Sequence, residues 1–130
     1  MIGILLITHG TLGESLLQNV YHVLNKRPPL LAQLGIVAQD DPLAILPLAR
    51  AMLAQVDEGE GVLVMTDIYG ATPANVASKL LEPGRVEGIA GVSLPMLLRA
   101  LTYREGGMEN LVAKALSGAR DGALNMLKDV

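Results

Sequence analysis

With 130 residues, 51% of them apolar, and a net charge of −3, the chain is sized for one compact domain with a sizeable core. The acidic balance and the scarcity of aromatic side chains (three Tyr, no Phe or Trp) exclude nucleic-acid binding, which needs cationic surface and stacking platforms. The absence of cysteine excludes disulfides, thiolate catalysis and zinc–thiolate sites.

Ile2 to Thr8 reads as a buried strand. Thr11, with Glu14 three positions on, forms a capping-box pattern that opens a helix. Leu16, Leu17, Val20, Val23 and Leu24 make its apolar stripe; His22 falls on the opposite, solvent-facing side. Pro28 and Pro29 break the helix, and Leu30 to Ala38 is the second strand. Asp40-Asp41-Pro42 starts a helix, with Pro47 kinking its first turn and a regular stretch from Leu48 to Val56. Val62 to Thr66 reads as a central strand. Thr72-Pro73 opens a further helix, ended by Pro83-Gly84. Val86 to Val92 is the fourth strand, and Ser93 caps a helix carrying Leu97, Leu98 and Leu101. After a Glu105-Gly106-Gly107 turn, Met108 to Lys128 reads as a long final helix, loosened by Gly118 and Gly122. The alternation predicts an α/β fold, a parallel sheet between two helical layers, as one domain over residues 1–130. The first apolar run lacks a preceding basic segment, and no stretch nears the roughly 20 apolar residues that span a bilayer. A cytoplasmic protein without direct membrane insertion is therefore expected.

The chemistry-bearing residues sit where strands should end, the usual place for ligands in parallel sheets. His9 and Gly10 follow the first apolar run; Asp67 follows the third. A neutral imidazole is a nucleophile near pH 7, and a carboxylate on one ring nitrogen leaves the other free to attack. If the two strands are neighbours, His9 and Asp67 share one crevice. Helix starts at Thr11 and Thr72 offer free N–H groups to an anion, Gly10 and Gly70 let the backbone approach, and Thr8 and Thr72 add hydroxyls. Tyr69 stands at the crevice rim. A lone histidine at a strand end is commonly only a structural hydrogen-bonder, but this combination favours phosphoryl chemistry. No metal and no cofactor is implied, since no Gly-x-x-x-x-Gly-Lys-Ser/Thr loop exists.

Three segments carry a resemblance: Ile7-Thr8-His9-Gly10, then Thr66 to Asn75 (TDIYGATPAN), then Ile89 to Leu97 (IAGVSLPML). In this order the chain resembles, nearly end to end, the IIA component of the mannose-family sugar phosphotransferase system of bacteria. The resemblance implies a three-layer sheet of order 2-1-3-4, with a short antiparallel fifth strand exchanged between the subunits of a homodimer. It implies that His9 takes a phosphoryl group on Nε2 from the histidine-containing phosphocarrier protein and passes it to a IIB component for sugar uptake. Asp67 then matches the orienting aspartate, and Thr8 and the loop Gly70-Ala71-Thr72 match the phosphate site. Pro95 and Met96 are expected beside the partner surface. The family loop usually has Gly where this chain has Ala71, whose methyl group limits positive φ. The B component is expected on a separate chain.

Four competing readings differ in destination or chemistry. A histidine phosphatase would have Arg-His-Gly where this chain has Thr8-His9-Gly10. A tetrapyrrole metal chelatase needs a second well-placed imidazole, and only His22 is available. A regulatory phosphoprotein of an incomplete phosphotransferase system, or a phosphoryl donor domain for a dihydroxyacetone kinase, would keep the same histidine chemistry.

Overall fold

The computed structural model describes residues 1–129 and shows four parallel strands in the order β2-β1-β3-β4. The strands are β1 (Gly3–His9), β2 (Leu31–Ile36), β3 (Val62–Thr66) and β4 (Val86–Ala90). Helices α1 (Leu12–Leu24), α2 (Pro42–Gln55), α3 (Thr72–Ser78), α4 (Leu94–Thr102) and α5 (Met108–Asp121) connect and cover them; α6 (Met126–Asp129) follows. The expected order 2-1-3-4 is thus observed. Among the described residues no fifth strand joins the sheet; the chain there turns into α6 instead.

Alternation along β1 and β3 separates two cores. Ile4 and Leu6 of β1, with Leu63 and Met65 of β3, pack under α1, α4 and α5 through Leu17, Val20, Leu97 and Leu111. Leu5, Ile7, Val62 and Val64 face the other way, onto Ala49 of α2 and Val76 and Ala77 of α3. Both strands are buried on both faces, which is why they read as unbroken apolar runs.

Local chemistry shifts several boundaries. Thr11 precedes α1 but makes no side-chain cap; Thr8 Oγ1 accepts from the Gly13 N–H at 2.9 Å in its place. Asp41 caps α2 by accepting from Leu43 N–H, and the helix runs on through Pro47, which lies on the exposed side. Helix α3 stops at Ser78, several residues before Pro83-Gly84, which instead turn the chain between Glu82 and Val86. The last long helix ends at Asp121, not Lys128. Gly118 and Gly122 are its contact surface rather than its weak points: added Cβ atoms would lie 3.0 Å from the Pro95 carbonyl oxygen and 2.4 Å from Pro95 Cβ. They let α5 close onto α4.

Arg104, just past α4, is only 3% exposed. Its guanidinium donates to the carbonyls of Ile2 (2.9 Å), Pro29 (2.7 Å) and Leu30 (2.6 Å). One side chain therefore ties the end of α4 to the entries of β1 and β2.

Candidate active site

β1 and β3 are hydrogen-bonded neighbours, so their tips emerge side by side, with His9 ending β1 and Asp67 following β3. Oδ2 of Asp67 accepts from the His9 backbone N–H at 3.0 Å and lies 2.8 Å from His9 Nδ1. Oδ1 accepts from the Ile68 N–H at 3.1 Å and from the Thr66 hydroxyl at 3.4 Å. Burial alone pushes the Asp67 carboxyl up, but the backbone N–H and ring of His9 outweigh it and hold the group below its usual value of 3.8. The stabilisation from this ionised form is complete above that unfolded value and is lost as pH falls through the lower folded one. An ionised carboxylate only accepts, so Nδ1 carries a proton toward Asp67, and in the neutral ring the lone pair is on Nε2. The imidazole is 52% exposed and the carboxylate 12%, an accessible ring on a sheltered support.

The surroundings divide into floor and rim. Gly10, at φ +52°, turns the chain from β1 into α1. Gly70, at φ +87°, does the same before α3. Ala71 is extended, at φ −98°, a conformation any residue adopts, so its methyl group imposes no backbone restriction. Thr72 is the first residue of α3 and lines a cleft of about 370 Å³ together with His9, Ile36, Val37 and Asp40. Thr8 lies beneath the cleft, fully buried, with its oxygen engaged by Gly13. Tyr69 is 87% exposed, and Leu12, Val37 and Ile68 are also exposed at this end of the sheet. Pro95 is exposed, but Met96 is not a surface residue: at 1% exposure it belongs to the core under α4, because Ser93 starts the helix so that position 96 points at the sheet. His22 is exposed on α1, as its place opposite the stripe predicts.

The sequence reading overlooked the tip of β2. Gly35 pairs with Thr8, and a Cβ there would sit 2.0 Å from the Gly10 carbonyl oxygen. Its signal was available: an isolated glycine inside a strand marks a close backbone approach. Gly35→Ala is expected to push Gly10 outward, destabilising the domain by about 1–3 kcal/mol and moving the NMR signals of the His9 ring. Unchanged urea unfolding and unmoved ring signals would show that the turn has room to spare.

The sequence model of the family described as PTS system fructose IIA component matches residues 3–116. The chain is 32% identical over 124 residues to the PTS system mannose-specific EIIAB component of Escherichia coli (strain K12), an alignment covering 93% of this chain. The chain spans 38% of the length of that relative. Over 54 residues, 41% of the chain and 37% of the relative, it is 43% identical to the PTS system fructose-specific EIIA component of Bacillus subtilis (strain 168). In fold it is similar to the phosphotransferase system component EIIA of Streptococcus agalactiae, with a TM-score of 0.86 at 21% identity and 98% of each chain covered. The mannose/sorbose specific IIA subunit of Enterococcus faecalis superposes with a TM-score of 0.83 at 22% identity, covering 95% of this chain and 93% of that one.

Proposed function

Because the chain belongs to the EIIA-man family of phosphotransferase-system IIA components, we propose that it is a phosphoryl carrier whose acceptor atom is Nε2 of His9. The observation that carries this reading is the 2.8 Å contact between Nδ1 and Asp67, which in the neutral ring places the lone pair on the other nitrogen of a half-exposed imidazole. In the proposed step the Nε2 lone pair attacks the phosphorus of a phosphohistidine on the histidine-containing phosphocarrier protein. A new N–P bond forms as the donor's N–P bond breaks, and the donor ring, protonated on its other nitrogen, leaves with the bonding electrons as neutral imidazole. Attack makes the His9 ring cationic, and the adjacent carboxylate stabilises that charge. The same step run toward a IIB component passes the group on for sugar uptake. Gly10, Gly70, Ala71 and Thr72 surround the phosphoryl oxygens in this reading. The exposed apolar residues around His9, Tyr69 foremost, favour a transient docking surface there, with exposed Pro95 as a further partner contact. A homodimer belongs to the same reading, favoured by the exposed Leu124, Met126 and Leu127. No helix among the described residues is long and apolar enough to cross a membrane.

The test is to incubate the protein with the phosphocarrier protein, its upstream kinase and that kinase's phosphoryl donor, then map the modification by mass spectrometry. One phosphoryl group on His9 is expected; a label on His22, or none, refutes the assignment. Asp67→Ala should remain folded yet accept the group about 100-fold more slowly, the scale of effect when a reacting group loses its orientation. Rapid-quench rates equal to those of the unaltered chain would remove Asp67 from the mechanism.

A further inference from the structure

A second cavity, of about 390 Å³, opens at the opposite end of the sheet, where β1 and β2 begin. Lys26, Arg27 and Arg104 line it beside Leu24, Pro28 and Leu101. Arg104 is the unusual member. Its charge is buried, and three carbonyl oxygens satisfy some of its donors without neutralising it. A guanidinium carries five N–H donors, so the three bonds leave two without an acceptor among the described residues. Among the described residues no carboxylate lies within ion-pair distance of Lys26, Arg27 or Arg104. Glu58 and Glu105 attract Arg104 only at longer range, and Glu58 is engaged, with Glu60, by the Met1 amine. Arg27 keeps its position over the Tyr21 ring, 4.9 Å from the centroid. A buried cation without an anionic partner is costly unless one arrives from outside.

We propose that this cavity binds a small organic anion, its oxyanion head on Arg104 with Lys26 and Arg27 at the mouth, and a short hydrocarbon body against Leu24, Pro28 and Leu101. The site is independent of His9, which lies at the other end of β1. Hexanoate is a suitable probe because it has both halves; hexanol lacks the charge and sodium chloride lacks the body. In heteronuclear NMR of the full chain at pH 7 and constant ionic strength, hexanoate should saturably shift the Arg104 Nε–H resonance. Hexanol and chloride should not. The double variant Lys26→Ala/Arg27→Ala alters only exposed side chains and should weaken the hexanoate affinity about tenfold or more, as loss of charge-assisted contacts implies. No saturable shift at Arg104, an equal shift with hexanol or chloride, or unchanged affinity in the double variant would each overturn the proposal.

Discussion

His9→Ala is expected to abolish phosphoryl acceptance, by at least about a thousandfold, as removal of a covalent nucleophile does. The substitution deletes the half-exposed ring whose Nε2 is the proposed acceptor. It should scarcely alter stability. The ring is half in solvent, and the sheltered Asp67 carboxylate keeps its bonds from the backbone N–H groups of position 9 and Ile68 and from the Thr66 hydroxyl, so loss of the ring contact costs about 1 kcal/mol. Intact-protein mass spectrometry after incubation with the phosphocarrier system gives the answer directly, and the thermal midpoint of the same sample confirms folding. Any residual label at wild-type speed would move the chemistry to another side chain and end this reading.

Arg104→Leu should be the most damaging substitution away from that site. Leucine fills part of the volume but leaves the buried carbonyl of Ile2 and the part-buried carbonyl of Pro29 without their donor, while the Leu30 carbonyl keeps its bond from the Ile4 N–H at 2.9 Å. Each buried acceptor left unpaired costs about 1–3 kcal/mol. Release of a buried, unneutralised charge and hydration from the adjoining cavity offset part of this. A net loss of about 2 kcal/mol is expected, a sizeable share of the roughly 5–15 kcal/mol of a typical domain. It would appear in urea unfolding as a midpoint lowered by about 1–2 M at unchanged slope. A midpoint within error of the parent would mean that water replaces the guanidinium without penalty. Lys26→Ala/Arg27→Ala serves as the comparison, since both residues are exposed and neither carries a buried bond.

How much of this was legible before the structure depends on where each signal resides. The buried strands were plain, because burial on both faces forces unbroken apolar runs such as Leu63-Val64-Met65. His9 and Asp67 were legible too: each follows such a run directly, and the neighbouring of β1 and β3 does the rest. The helix ends were less so. The Thr11–Glu14 spacing looks like a cap, yet the oxygen that reaches the first turn comes from Thr8, inside the strand. Gly118 and Gly122 suggest a weak helix until Pro95 is placed against them. Met96 shows the same limitation: a motif position carries no direction until the helix phase is set by its cap, here Ser93. Gly35 and Arg104 act through residues distant in the chain; an isolated glycine in a strand hints at the first contact without naming its partner, and nothing local announces the second.

Asp67 grips His9 twice, through the main chain and through the ring. The main-chain grip does not depend on what the imidazole carries. On the proposed reading, a ring that gained or lost a phosphoryl group would leave the two strand tips fastened by this bond, with no reordering of the domain between visitors. An encounter therefore bears little ordering cost. A carrier built this way would hand over its load during brief, weak meetings and release each visitor without first having to relax.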